Sequence, residues 1–156
     1  MTIQAIGTFI TLQSPNGNFQ GRYQNATVGS DLTYESIAYT FLSFIYSGAT
    51  KSRMGDNITS ELTLAANQVS INIASEAVQN FWSIQVDSVL MHPQTFTPSR
   101  RLSREYWVTS GITYNTNAVQ VQLSSAIDAI GADAPNRRLL ERYVGALPLT
   151  SRISNL

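Results

Sequence analysis

Apolar and polar residues alternate with a period of two along most of the first 125 positions, the pattern of strands with one buried face. Residues 3–12 and 18–23 read as two strands joined by Ser14-Pro15-Asn16-Gly17, a combination that favours a tight turn. Residues 37–47 (IAYTFLSFIYS) are apolar on both parities, which predicts a central strand covered on both faces and ended by Gly48. Alternation resumes at 61–65 through Leu62 and Leu64, and at 69–73 through Val69, Ile71 and Ile73. Ser75 can cap a short helix running to Phe81, with Glu76 in its first turn. Trp82, Ile84 and Val86 then alternate, and Val89 and Met91 follow on the opposite parity. That switch predicts a bulge near Asp87-Ser88. Residues 92–99, with Pro93 and Pro98, read as a loop. Residues 105–114 and 118–123 form a hairpin closed by Asn115-Thr116-Asn117. The fold expected is mainly β: an antiparallel β-sandwich or barrel-like domain of seven or eight short strands, with one or two short helices and a C-terminal arm.

From Ala126 the texture changes to AIDAIGADAPNRRLLERYVGALPLTSRISNL. Arginines sit among leucines, a tyrosine and valine or isoleucine positions, too apolar for a solvated tail and too short for a domain. The division expected is therefore a β domain at 1–125 and an arm at 126–156 that packs on its own domain or on a neighbouring subunit. Asp133 is a good N-cap, Pro135 is tolerated early in a helix and Gly145 is a good stop, which favours a short helix at 134–144. An extended strap is the alternative, because a helix this short needs tertiary contacts to persist. Leu147-Pro148 begins an extended stretch in either case.

Composition narrows the function. With 43% apolar residues the chain can bury a core, but only 13% are charged, about half the usual share. Its surface must then be rich in Asn, Gln, Ser and Thr, which suits assembly because burying neutral polar groups costs less than burying ions. The 10 basic residues balance the 10 acidic ones, so the chain as a whole has no excess to attract nucleic acid or anionic lipid. Lys51 is the lone lysine, and the arginine bias matches protein interfaces. No cysteine is present, which removes disulfides, thiolate metal sites and cysteine catalysis. No apolar run reaches the length of a membrane span, and the N-terminus lacks the charge and apolar stretch of a signal peptide. The sequons at Asn25 and Asn57 therefore read as chance matches.

Candidate chemistry is sparse. His92 is the single histidine, and no nucleophile motif lies near it, so a hydrolase reading has little support. Asp56-Asn57 lacks a spaced set of oxygen ligands for calcium and reads as a turn. Glu61 and Glu76 flank different elements and form no catalytic pair. No phosphate-binding glycine motif is present. Arg100, Arg101 and Arg104 make the densest basic cluster, next to Glu105, and read as salt-bridge or subunit-contact residues. Trp82 and Trp107 are core or interface packing, with sugar stacking as the alternative. The chain is expected to be no enzyme and to need no cofactor or metal.

Three stretches carry a family resemblance: FLSFIYSGATKSRMGDNITSELTLAAN, then WSIQVDSVLMHP with the following REYWVTSGI, and the ending AIDAIGADAPNRRLLERYVGALPLTSRI. Together they resemble the minor tail protein family of tailed bacteriophages, the tail-tip proteins of lambda-like siphophages. The resemblance implies a β-rich virion component at the tail tip or baseplate, linking the distal tail protein to the central hub. Lambda-type members extend further and carry a cysteine cluster associated with an iron–sulfur centre; this sequence has no cysteine and is expected to lack that centre. With the arm as assembly element, Arg137, Arg138, Leu140, Tyr143, Leu147 and Pro148 are expected to contact the hub or a neighbouring copy in a homo-oligomeric ring, a trimer or hexamer. The alternative is a carbohydrate-binding β-sandwich module on a virion or cell surface, for which an exposed Trp107 would be the sign.

Overall fold

A computed structural model describes residues 5–48 and 59–125. Among these residues nine strands and one helix follow in the order β1 (Ala5–Gln13), β2 (Phe19–Gln24), β3 (Leu32–Tyr34), β4 (Ile37–Phe41), β5 (Phe44–Tyr46), β6 (Thr59–Ala65), α1 (Gln68–Gln79), β7 (Ser83–Met91), β8 (Pro98–Tyr114) and β9 (Ala118–Ser124). The strands form one sheet in the order β3-β4-β2-β1-β7-β8-β9-β6-β5. All neighbours are antiparallel except β2 and β4, which run parallel, so the sheet is mixed rather than purely antiparallel.

The run 37–47 is not one central strand. It breaks at Leu42-Ser43 into β4, next to the last strand at one end of the sheet, and β5, the last strand at the other. Phe41 and Phe44 are three Cα steps apart, at most about 11 Å, so the two ends of the sheet are held close and the sheet rolls. Among the described residues no strand ladder closes the seam, and the domain is sandwich-like rather than a barrel. The seam is stitched by the Leu42 N–H donating to the Gln24 carbonyl at 2.9 Å and the Asn25 side-chain amide donating to the Phe44 carbonyl at 3.3 Å.

Inside the roll lies the main core. Ile10 and Leu12 from β1, Leu62 and Leu64 from β6, Ile84 and Val86 from β7, Trp107 from β8, and Val119, Val121 and Leu123 from β9 meet Leu42, Phe44 and Trp82. Ala74 and Ala77 of α1 complete it. A second core occupies the outer face, where Phe9, Val89 and Met91 pack under the β3–β4 hairpin through Tyr34 and Tyr39. The three aromatic rings there cluster with centroid separations of 4.9, 5.1 and 6.1 Å. Gly7 leaves the space that Met91 fills: a Cβ there would lie 2.2 Å from the Met91 sulfur.

Two cores on opposite faces explain the parity switch in β7. Ile84 and Val86 face the inner core and Val89 and Met91 the outer one, and β7 pairs with β1 residue for residue without a bulge. The register shifts fall instead on β8, opposite Ser88/Val89 and Leu90/Met91.

The segment 69–73, expected as a strand, is the first half of α1. Asn67 caps it, accepting from the Ser70 N–H at 2.8 Å. The buried stripe is Ser70, Ala74 and Ala77, at helical spacing, while Val69 is 60% exposed. Small residues on that stripe let the helix approach the sheet closely. The helix C-terminus is tied to β8 by the buried Thr109, whose hydroxyl donates to the Ala77 carbonyl at 2.7 Å. Phe81 takes a left-handed φ of 50°, and the Trp82 N–H donates to the Ala77 carbonyl, closing the helix as glycine often does.

The expected turns form. At Ser14-Pro15-Asn16-Gly17 the Gly17 N–H donates to the Ser14 carbonyl at 2.9 Å, and Gly17 has φ 79°. At 115–117 the Asn115 carboxamide oxygen accepts from the N–H groups of Asn117 and Ala118. Leu123 is fully buried at the centre of the inner core. Leu123→Ala should therefore cost about 2–5 kcal/mol, read as a lowered urea midpoint with unchanged slope, whereas a substitution at Val28, 82% exposed, should stay within about 0.5 kcal/mol.

Candidate assembly surface

The expected interface residues Arg137, Arg138, Leu140, Tyr143, Leu147 and Pro148 lie outside the described residues, as does Asp56. So do both candidate conformations of 134–144. Within the described residues, polar chemistry gathers on the outer face of β7 and β8, at the tip of the β3–β4 hairpin.

That hairpin has a two-residue turn, Glu35-Ser36, between the paired Tyr34 and Ile37. Both residues have positive φ, 50° and 64°, which is the geometry of a tight hairpin turn and one that non-glycine residues rarely adopt. What holds Glu35 there is arginine. Arg104 reaches it through Nη2 at 2.9 Å and Arg101 through Nη1 at 3.0 Å. Arg104 also grips Asp87 with two parallel bonds, Nε to Oδ1 at 2.6 Å and Nη2 to Oδ2 at 2.7 Å. Asp87 is buried, with its side chain 2% exposed, and receives a further bond from the Gln85 amide at 3.0 Å. The Tyr34 hydroxyl donates to Glu35 at 3.2 Å.

Hydrogen bonding to Arg104 holds the Glu35 carboxyl below its ordinary value, aided by the charges of Arg104 and Arg101. Burial pushes the Tyr34 phenol up, reinforced by the charges of Asp87 and Glu35. The basic cluster lies on a strand rather than a loop, and two of its members, Arg101 and Arg104, form an ion-pair network with Glu35 and Asp87. Two arginines against two carboxylates leave that network with no net charge.

Beside this network the outer face is open. Arg22, Thr11, Gln85 and Tyr106 form one row across β2, β1, β7 and β8, and Tyr106 is 64% exposed. In the next row Phe19 is half exposed, with the Arg22 guanidinium stacked 4.0 Å from its ring centre. Exposed aromatics beside arginine are residue types enriched in protein–protein contacts. A second opening is the edge of β8. It pairs with β7 from Pro98 to Val108 but with β9 only from Val108 to Tyr114. Among the described residues no strand covers the other edge of 98–107.

The other sequence candidates separate. His92 is exposed, and its Nδ1 accepts from the N–H groups of Gln94 and Thr95, both at 3.4 Å, so it caps a turn. Glu61 lies on β6 and Glu76 on α1. Trp82 and Trp107 are 7% and 4% exposed, so neither offers the open ring face that sugar stacking requires. A polar depression of about 500 Å³, lined by Asn16, Asn18, Gln20, Asn80 and the largely buried Trp82, has no such platform either. Among the described residues no group of three His, Cys, Asp or Glu converges as metal ligands would, and no helix is long and apolar enough to cross a membrane. The Glu35 network had one visible signal, the Arg100, Arg101 and Arg104 cluster; its acidic partners come from distant positions and could not be read from spacing.

No protein-family model and no curated protein sequence matches the chain. Among solved structures, it is similar to a chain in the virion of a native gene transfer agent particle, with a TM-score of 0.54 and 12% identity. The match covers 83% of this chain and 43% of that one, so this chain spans less than half the length of its structural neighbour. At that identity the likeness is one of fold.

Arg104→Met leaves the Asp87 carboxylate buried and unpaired and should destabilise by about 3 kcal/mol, while Arg104→Met combined with Asp87→Asn should recover most of it, in a urea double-mutant cycle. Because its pKa is depressed on folding, Glu35 contributes stability that is complete above the ordinary carboxylate range and is lost as pH falls through its folded value. Glu35→Gln should accordingly flatten the fall in thermal midpoint across that acidic window, with the largest difference from the parent above it.

Proposed function

We propose that this chain is a structural protein of a phage-like virion, a minor tail protein at the tail tip or baseplate that links the distal tail protein to the central hub by assembly rather than catalysis. The observation that carries this reading is the shared fold with a virion chain of a gene transfer agent particle. Three further observations support it. The order and texture of three stretches resemble tail-tip proteins of siphophages. The surface is poor in charge and rich in neutral polar groups. The outer face carries exposed aromatics beside a self-neutralised ion network.

In this reading copies form a closed ring, a trimer or hexamer, through heterologous contacts between neighbours. The arm at 126–156 reaches the hub or the next copy, with Arg137 and Arg138 as charged anchors and Leu140, Tyr143, Leu147 and Pro148 as the apolar ones. Arginine and tyrosine at the centre of an interface commonly account for 2 kcal/mol or more each when truncated.

The test keeps the chain at full length. Tyr143→Asp with Arg137→Glu and Arg138→Glu should weaken incorporation into particles by roughly 30-fold or more, measured as copies per particle and infective titre. Soluble, folded variant protein with empty tail tips is the expected outcome. Normal incorporation and normal titre would overturn the assignment of the arm, and absence of the protein from purified particles would overturn the virion reading itself.

A further inference from the structure

The β3–β4 hairpin leaves the sheet and returns to it at one residue. The buried Gln24, last in β2, holds the outgoing loop with its side chain. Its Oε1 accepts from the N–H groups of Ala26 at 2.6 Å and Thr27 at 2.9 Å, and its Nε2 donates to the carbonyls of Thr27 and Ser30. Its backbone receives the returning chain, pairing with Phe41 and accepting from the Leu42 N–H at 2.9 Å. β4 meets β2 at Tyr23–Thr40 and Gln24–Phe41, and among the described residues β3 pairs only with β4. The far end is the Glu35-Ser36 turn, held by Arg101 and Arg104. We propose that this hairpin is a lid over the outer core, hinged at Gln24 and latched at Glu35, and that it opens as a unit, without the inner core, when acid removes the latch.

The contacts divide along that line. Phe9, Tyr34, Tyr39, Val89 and Met91 form a cluster separate from the inner core, so lifting Tyr34 and Tyr39 leaves Leu123, Trp107 and their neighbours packed. Arg104 keeps both parallel bonds to Asp87 when Glu35 leaves, and the Gln85 amide stays on Asp87 too, so opening strands no buried charge. What opening breaks is the pair of ion contacts to Glu35, the Thr11–Tyr39 hydroxyl bond at 3.3 Å, and the ring contacts of Phe9 with both tyrosines. It also relieves two non-glycine residues of their positive φ. The ring contacts keep the closed state dominant. Glu35 sets how often the lid opens, because ion pairs as exposed as these are weak and reversible. The groups that face Glu35 are Tyr34 on β3 and Arg101 and Arg104 on β8, with Asp87 of β7 behind Arg104. Hydrogen bonding to Arg104 holds the Glu35 carboxyl below its ordinary value in the closed state. The latch is therefore complete above the ordinary carboxylate range and fades as pH falls through the folded value. Neither hinge nor latch depends on the virion reading.

The chain has no cysteine, so a single introduced thiol reports one site. Val89 is buried beneath the lid and Val121 in the inner core. In full-length protein at neutral pH, a thiol reagent should label Val89→Cys faster than Val121→Cys. Adding Glu35→Gln, which removes the charge as acid does, should raise the rate at position 89 roughly threefold to tenfold and leave the rate at position 121 unchanged. Equal labelling of the two positions would mean that the hairpin parts only with the whole fold, and would overturn the proposal. A rate at position 89 that Glu35→Gln does not raise, or that rises together with position 121, would overturn it as well. Hydrogen exchange on the unmodified full chain is the independent check should a cysteine variant fold poorly. The amides shared between β3 and β4 should exchange ahead of those shared between β1 and β7. After correction for the intrinsic effect of pH, that lead should widen as pH falls through the carboxylate range. A lead that stays constant or closes would count against the latch and overturn the proposal.

Discussion

A two-residue joint shapes this domain. Leu42 and Ser43 connect β4 to β5, and the strand order puts five strands and β2 between them, with β5 at one end of the nine-stranded sheet and β4 next to the other. A flat or gently twisted sheet of that width would separate them by several times the span the joint allows. The sheet has to roll, and rolling creates an inside. Trp107, Leu123, Leu64 and Ile84 come from distant parts of the chain and meet there because the roll brings their faces together. α1 plugs the space beneath β8 and β9, made possible by a stripe of Ser and Ala that lets its backbone come close.

Rolling also leaves an outside that one hairpin covers only in part. The β3–β4 hairpin lays Tyr34 and Tyr39 over Phe9, Val89 and Met91, and its strained turn is held in place by the arginines of β8. Asp87 anchors that arrangement from beneath. A buried ion pair is weak as a source of net stability, because desolvating both charges offsets most of their attraction. Its value here is in orientation: only one placement of the hairpin gives Glu35 both arginines and gives Arg104 both carboxylates. The remaining outer face leaves Tyr106 and Phe19 exposed, and among the described residues no strand covers the far edge of β8 from 98 to 107.

Much of this was legible. Turn chemistry at Ser14–Gly17 and at Asn115–Asn117 depends on residues adjacent in sequence, and both turns form. Strands whose apolar residues face one core, such as β6 and β9, alternate cleanly and were read with nearly their observed bounds. The misreadings have physical causes. Val69, Ile71 and Ile73 alternate like a strand, but the face of α1 that packs is built from Ser70, Ala74 and Ala77, which a count of large apolar residues does not register. β7 changes parity because its two halves feed cores on opposite faces, not because it bulges. Residues 24–36 gave no strand signal, since β3 is three residues long and its preceding loop is organised by the buried Gln24 side chain, which bonds Ala26, Thr27 and Ser30.

Local chemistry, then, determined what local interactions control: the mainly β class, the turns, most strand positions, and a polar surface with few charges. Long-range pairing decided the rest. Whether residues 37–47 make one strand or two, which strands lie at the ends of the sheet, and which acid meets Arg104 depend on contacts between residues far apart in sequence, such as Ala5 with Met91 and Glu35 with Arg104. Such contacts leave no trace in spacing or periodicity. They exist only in the folded chain, where strand pairing sets distant residues side by side.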